Sequence, residues 1–265
     1  MTRGAVAAGH PRTAEAARLI LEAGGNAFDA ALAALCAACV VEPVLTSLGG
    51  GGFLLARRDP AIKRPVHQLE FHPIIADFGT AQQEFHIGMG SIATPGTVRG
   101  LFDVHRRMGS LPMKTIMAPA IGYARDGVET NALQAYIFSI VAPIYVATEE
   151  ARRIYGRGER QDRLCNEGEL LRQPELADAL ELLAIEGERL FYEGEIARSI
   201  VEQCRLQGGH LTGGDLESYR TEIRMPLQQR YRDSRVYSNP PPSSGGMLIR
   251  FAQQLLLAVE PSGMT

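Results

Sequence analysis

The run Asn239-Pro240-Pro241-Pro242-Ser243-Ser244-Gly245-Gly246 constrains this chain more than any other segment. Proline holds φ near about −65° and lacks an N–H, so three in succession predict an extended, rigid strap that cannot join a sheet ladder. Gly245 and Gly246 then predict left-handed or close-packed backbone just ahead of an apolar helical stretch, Met247 to Val259. A stiff strap feeding a helix is costly inside a compact domain unless something must be held there.

Composition narrows the class of protein. With 265 residues, 45% of them hydrophobic, the chain can bury a large core as one large domain or two small ones. A formal net charge of −3 and the absence of a basic stripe argue against a nucleic-acid partner. Arg106-Arg107 and Arg152-Arg153 read as solvated helix faces. No apolar run reaches the ~18 residues of a membrane span. The opening Met1-Thr2-Arg3-Gly4 lacks the charged, apolar and small-residue order of a secretory signal, which predicts a cytoplasmic protein unless a signal has been removed. The four cysteines are too few for a disulfide scaffold. Cys36 and Cys39 sit in an alanine-rich helical run with no second ligand pair, so they read as small core residues rather than a redox or metal motif.

Periodicity predicts paired helices over His10 to Val41, broken at Gly24-Gly25-Asn26, and short strands at Phe53–Ala56 and His67–Phe71. Further helices are predicted over Val98–Met108, Met113–Arg125, Pro174–Glu186 and Gly194–Gln207, with a short one capped by Thr212. The stretch Asn131 to Arg172 is irregular, and Gly156 to Arg163 reads as an exposed loop or short helices. Met225 to Tyr237 reads as two strands around Tyr231-Arg232-Asp233. Periodicity alone gives a mixed α/β or α+β domain.

Several blocks, in order along the chain, resemble the gamma-glutamyltransferase family. They are Ala7-Ala8-Gly9-His10-Pro11, Gly24-Gly25-Asn26-Ala27 with Asp29-Ala30, Val41-Glu42-Pro43, and Gly49-Gly50-Gly51-Gly52-Phe53. Thr94 to Val98, Ala124 to Gly127, Phe191 to Gly194, Gly208-Gly209 with Thr212 and Asp215-Leu216, and Pro240 to Gly246 follow. Each block is weak alone; their shared order and spacing is specific. The resemblance implies an α+β fold, the N-terminal nucleophile hydrolase four-layer αββα sandwich, of which residues 1–265 would be part of the large subunit with no separate second domain. In that family a precursor cuts itself, and the new N-terminal threonine of the small subunit is the nucleophile, its freed α-amine serving as base. The implied activity is hydrolysis or transpeptidation of glutathione or another γ-glutamyl amide, without metal or cofactor.

The resemblance also assigns residues. The nucleophile is expected C-terminal to Thr265, with the small subunit of the same precursor as partner and a small γ-glutamyl compound as substrate. The family's arginine that clamps the substrate α-carboxylate falls at His72, in Glu70-Phe71-His72-Pro73. Imidazole offers at most one directed donor there and is largely neutral at pH 7, which predicts altered recognition of the amino-acid head. Gly49, Gly50, Gly51 and Gly52, and Pro241, Pro242, Ser243, Ser244, Gly245 and Gly246, are expected as structural residues near the site. The glycine run leads into a strand with no Gly-Lys-Ser/Thr after it, so close packing is favoured over a phosphate cradle. For Ser243 and Ser244, capping the next helix is as well supported as a substrate contact. His10, His86, His105 and His210 lack metal-ligand spacing. The alternatives are a relative acting on another amide, of the cephalosporin-acylase or poly-γ-glutamate-processing kind, and an inactive truncated remnant or interaction module.

Overall fold

The computed structural model describes residues 4–57, 67–71 and 87–259, with the backbone alone for 67–71. Helix α1 (Pro11–Glu22) and helix α2 (Ala27–Val41) follow the predicted order. α1 opens on Pro11 at its first turn, and the Nδ1 of His10 accepts from the Arg12 backbone N–H at 3.1 Å. Burial lowers the pKa of this imidazole, which favours its neutral, accepting form. α2 is hydrophobic all round, and such a helix must be covered on every side. Ala30, Leu32, Ala33, Cys36, Ala37, Val40 and Val41 are at most 4% exposed. Its alanines and cysteines are small enough for α1, α3 (Thr97–Met108) and α4 (Met113–Asp126) to pack directly on it. The cysteines are core residues. Burial raises the Cys36 thiol well above its usual value and pushes Cys39 up to about 12, which removes both as thiolate nucleophiles at neutral pH.

The ends of α2 are fixed by side chains from distant segments. At its start Asn26 accepts from the Phe28 and Asp29 backbones, while the Asp29 carboxylate accepts from the Asn26 N–H at 2.9 Å. The same carboxylate, fully buried, also takes the Ser110 N–H at 2.9 Å and the Ser110 hydroxyl at 2.5 Å. At its finish the Val40 carbonyl accepts from the Gln173 amide at 2.9 Å and the Val41 carbonyl from the Gln134 amide. Four terminal carbonyls of a helix have no intrahelical donor, and in a buried helix side chains must supply them.

Helices α5 (Ala132–Tyr145) and α6 (Glu149–Tyr155) occupy the segment that pattern reading leaves irregular. α5 buries only Gln134 and Phe138, one turn apart, and exposes Leu133, Tyr136, Ile140 and Ile144. With apolar residues on both faces, no helical stripe stands out. Its start is nevertheless well specified, by a capping box between Asn131 and Gln134. Phe138, Tyr145 and Tyr155 meet in a small second core with Leu164, Cys165 and Leu171, their rings 4.7–6.1 Å apart between centroids. α7 (Pro174–Glu186) packs on α4, and α8 (Arg189–Tyr192), α9 (Glu195–Leu206) and α10 (Gly213–Ser218) complete the helical layer. α10 starts with the predicted Thr212 cap, reinforced by Asp215.

Strands β1 (Gly52–Ala56) and β2 (His67–Phe71) pair antiparallel with Gly52 opposite Phe71. β3 (Val128–Glu129) and β4 (Leu170–Leu171) form a short ribbon. β5 (Glu222–Arg224) adds to β2, giving the sheet order β1-β2-β5, and α3 lies against β2. β6 (Leu227–Tyr231) and β7 (Ser234–Ser238) form the predicted hairpin, with Arg232 at φ 51° in its turn. α11 (Ser244–Val259) packs on both. No helix among the described residues is long and apolar enough to cross a membrane.

The proline strap departs from its predicted shape. The Ser243 N–H donates to the Pro240 carbonyl at 3.0 Å, so the chain turns at Pro241-Pro242 instead of running extended. The peptide between those two prolines is cis. Gly245 and Gly246 lie inside the first turn of α11, not ahead of it, and neither has positive φ.

Asp29 is the test of how the core is locked. Burial raises a carboxyl pKa, but here the hydrogen bonds from Ser110, Asn26 and Leu111 together outweigh it, and the net shift is downward. A depressed pKa means the contribution is present above the unfolded value of about 3.9 and is lost as pH falls through the folded value. Asp29→Asn faces several N–H groups with a single acceptor oxygen and should cost about 1–3 kcal/mol at pH 7. Urea unfolding at pH 7 and pH 3 checks both statements: the variant should lose stability at pH 7 and show a flatter acid limb.

Candidate functional site

A cleft of about 490 Å³ opens where the glycine run enters the sheet, between α2, α3 and β1. Its floor is set by backbone packing. The Gly50 carbonyl accepts from the N–H groups of Gly96 and Thr97 at 2.8 and 3.0 Å, capping an α3 terminus that has no side-chain cap. The Gly50 N–H itself donates to Ser47 at 3.2 Å. The Gly50 N–H and the first N–H groups of α3 are thus taken up within the protein and are not free to cradle a phosphate. A Cβ on Gly50 would sit 3.3 Å from the Ser47 carbonyl oxygen, so a side chain there crowds the loop.

The cleft's polar groups are hydroxyls. Thr46, Ser47, Thr97 and Tyr145 line it, together with Gly50, Gly51 and Gly52. The Tyr145 hydroxyl donates to the Pro43 carbonyl at 2.8 Å, and burial raises its pKa, so the phenol stays protonated at neutral pH. No amine, imidazole or carboxylate is among the described residues that line the cleft. Sequence reasoning finds the glycines and the block containing Thr97. It misses Thr46 and Ser47, which lie between two of the blocks, and Tyr145, which becomes visible only once α5 is recognised.

α3 is held in place by Tyr192 at the end of α8. Its hydroxyl donates to the Pro95 carbonyl at 2.8 Å and accepts from the Arg99 N–H at 3.0 Å. The Arg99 guanidinium stacks 4.2 Å from the Tyr192 ring centroid and pairs with Glu188 at 3.2 Å. Arg106 shares that Glu188 oxygen at 3.2 Å and also pairs with Asp103. Thus Thr94 to Val98 and Phe191 to Gly194, far apart in sequence, are two halves of one contact.

The strap stands apart from the cleft, which none of its residues lines among those described. Arg224 pairs with Gln68, away from the Gly52–Phe71 end of the sheet, and its guanidinium donates to the Pro241 carbonyl at 2.8 Å. The Ser243 hydroxyl accepts from the Gly246 N–H at 3.3 Å and caps α11, while Ser244 is the first residue of that helix. His72 and Thr265 lie outside the described residues, as do Thr2 and His86. β2 ends at Phe71, opposite Gly52 of the glycine run. His10 is the α1 cap, and the His105 Nε2 is 2.7 Å from the Leu111 carbonyl oxygen. Among the described residues no cluster of histidine, cysteine and carboxylate could hold a metal ion.

These elements define an α+β protein of the N-terminal nucleophile hydrolase class, represented by its helical layer, a three-stranded sheet and the glycine-floored cleft. Residues 13–260 match the gamma-glutamyltranspeptidase family, and the chain belongs to that family of enzymes. It is 34% identical over 242 residues to the glutathione hydrolase proenzyme of Escherichia coli K12, which covers 87% of this chain and 41% of the relative. It is 32% identical over 269 residues to the acylase ACY 1 proenzyme of Pseudomonas sp. strain V22, covering 96% of this chain and 47% of that protein. The crystal structure of Helicobacter pylori gamma-glutamyltranspeptidase superposes with a TM-score of 0.90 at 26% identity, over 99% of this chain and 77% of that one. The chain therefore spans less than half the length of these two curated relatives.

The two strap glycines should respond oppositely to substitution. A Cβ on Gly246 would lie 2.0 Å from the Asn239 carbonyl oxygen, whereas one on Gly245 meets nothing within 4 Å. Gly246→Ala must displace the strap and should cost about 1–3 kcal/mol. Gly245→Ala, in a helical turn, should be neutral or stabilise by up to about 1 kcal/mol. Thermal melts of the two variants compare them directly.

Proposed function

We propose that this chain is the large-subunit part of a gamma-glutamyltransferase-like amidase, acting with a segment of the same precursor that carries a catalytic threonine. The observation that carries this reading is the chemistry of the cleft: hydroxyls and backbone groups beside the glycine run, with no amine, imidazole or carboxylate among the described residues that line it. A hydroxyl is a weak nucleophile without an adjacent base, and an N-terminal threonine brings its own α-amine. In this mechanism the threonine oxygen attacks the γ-amide carbonyl, the C–N bond breaks, and the departing amine takes the proton. Water or an acceptor amine then releases the acyl group from the enzyme. This chain alone, on that reading, is inactive.

The outer faces of the fold support a partner segment. α11 exposes Met247, Leu248, Ile249, Phe251, Leu255 and Leu256, an apolar surface larger than a solvated helix normally presents. The relatives named above are proenzymes, and this chain accounts for under half of their length. We place His72 at the substrate's amino-acid head, where it gives a weaker carboxylate clamp than arginine would. That substitution favours a second reading, an amidase with a different acyl preference, as in the relative named an acylase.

The test uses the complete gene product and its His72→Arg variant with a γ-glutamyl anilide. Restoring a bidentate, permanently charged partner should lower KM about tenfold or more, the equivalent of one charged hydrogen bond. Equal KM values would remove His72 from the site. Absence of both self-cleavage and amide hydrolysis would remove the amidase reading.

A further inference from the structure

We propose that the cleft beside the glycine run binds an uncharged, apolar portion of the substrate amide and not its charged amino-acid head. The inference rests on the amidase reading and adds the chemical class of group that this part of the site accepts. The walls are Leu35, Leu45, Phe53, Leu101, Val104 and the ring of Tyr145, and no charged side chain is among the described residues that line it. Leu101 and Val104, on the α3 side, are fully buried and belong to the main core, with Leu35 packed against it, whereas Leu45 borders the cleft from an exposed position. A volume of about 490 Å³ is within the range of small-molecule sites.

The energetics separate the two candidate occupants. An ammonium or carboxylate entering this cleft would meet no counter-ion among the described lining residues, a cost that hydroxyls alone do not offset. An aromatic or aliphatic group gains from every apolar wall it covers, at roughly 25 cal/mol per Å². Thr46, Ser47 and Thr97 sit together with Gly50 to Gly52 among the lining residues, so the polar groups accompany the glycine run. That distribution suits a neutral amide, with its apolar substituent against the leucines and its polar end toward the loop.

The test is direct binding to the purified chain, followed by calorimetry or ligand-observed NMR, with benzamide as the apolar probe and L-glutamine as the charged one. Ala31 and Leu45 line the cleft from exposed positions, so substitutions there spare the core. Benzamide should bind saturably, and Ala31→Trp and Leu45→Asp should each weaken it about tenfold or more by filling or charging the cleft. Ala31→Ser should retain binding, and L-glutamine should not displace benzamide. Benzamide binding that survives both disruptive substitutions, or displacement by L-glutamine, overturns the inference. Hydrolysis of a γ-glutamyl anilide by the complete gene product is scored separately. Lost hydrolysis with intact benzamide binding defeats the amidase reading alone, and intact hydrolysis without benzamide binding defeats the cleft assignment alone.

Discussion

The main core is arranged around one requirement: α2 is buried over most of its length, and continuously from Cys36 to Val41, so its ends are satisfied by protein groups. Asp29 and Asn26 meet that requirement at the start, and through Ser110 they tie the α3–α4 connection to the helix. Gln134 and Gln173 meet it at the finish, which brings the start of α5 and the start of α7 onto the same point. These glutamines are buried polar residues that would be liabilities elsewhere. Here each one's cost is offset by a carbonyl that would otherwise be orphaned, and the bond also fixes the position of a helix more than 90 residues away in sequence. The chain order of the helices therefore matters less than these anchor points.

The same logic explains why short blocks scattered along the sequence travel together. Asn26 is needed because α2 starts there; Pro95 matters because its carbonyl receives the Tyr192 hydroxyl; Gly50 matters because its carbonyl caps α3. A block of this kind carries little information by itself, since its chemistry is completed by a partner elsewhere. Changing Tyr192 would leave the Pro95 carbonyl and the Arg99 N–H without their shared partner, and the effect would pass to α3 and hence to the wall of the cleft.

Local chemistry was legible where a signal and its consequence lie within a few residues. The α1–α2 break, the Thr212 cap and the hairpin around Arg232 were all readable, because caps and turns are decided by neighbours in sequence. α5 was not, since it is apolar on both faces and buries only Gln134 and Phe138. The strap was half readable. Its composition marks a stiff segment, but stiffness does not specify direction, and the Ser243-to-Pro240 hydrogen bond turns it. Of the site, the glycines were visible as a run, whereas the hydroxyls of Thr46, Ser47 and Tyr145 gather in the cleft only through packing. No spacing rule would have selected them.

The positions of these features imply a division of labour. The cleft borders the best-packed part of the molecule, against α2 and α3, while α11 and the β6–β7 hairpin form a separate layer with an apolar outer face. A binding wall gains from rigidity, because its shape must exist before the substrate arrives. On the proposed amidase reading, the α11 face completes a partner segment, and such a surface gains from being apolar and accessible until that segment is in place. The strap joins the two regions: Arg224 of the sheet holds Pro241, Ser243 caps α11, and Gly246 lets the helix close against Asn239. Its stiffness thus serves to fix the orientation of α11 relative to the sheet whose other end carries the glycine run. Among the described residues the strap's link towards the cleft runs through the sheet, from Pro241 to Arg224 of β5 and across β2 to β1.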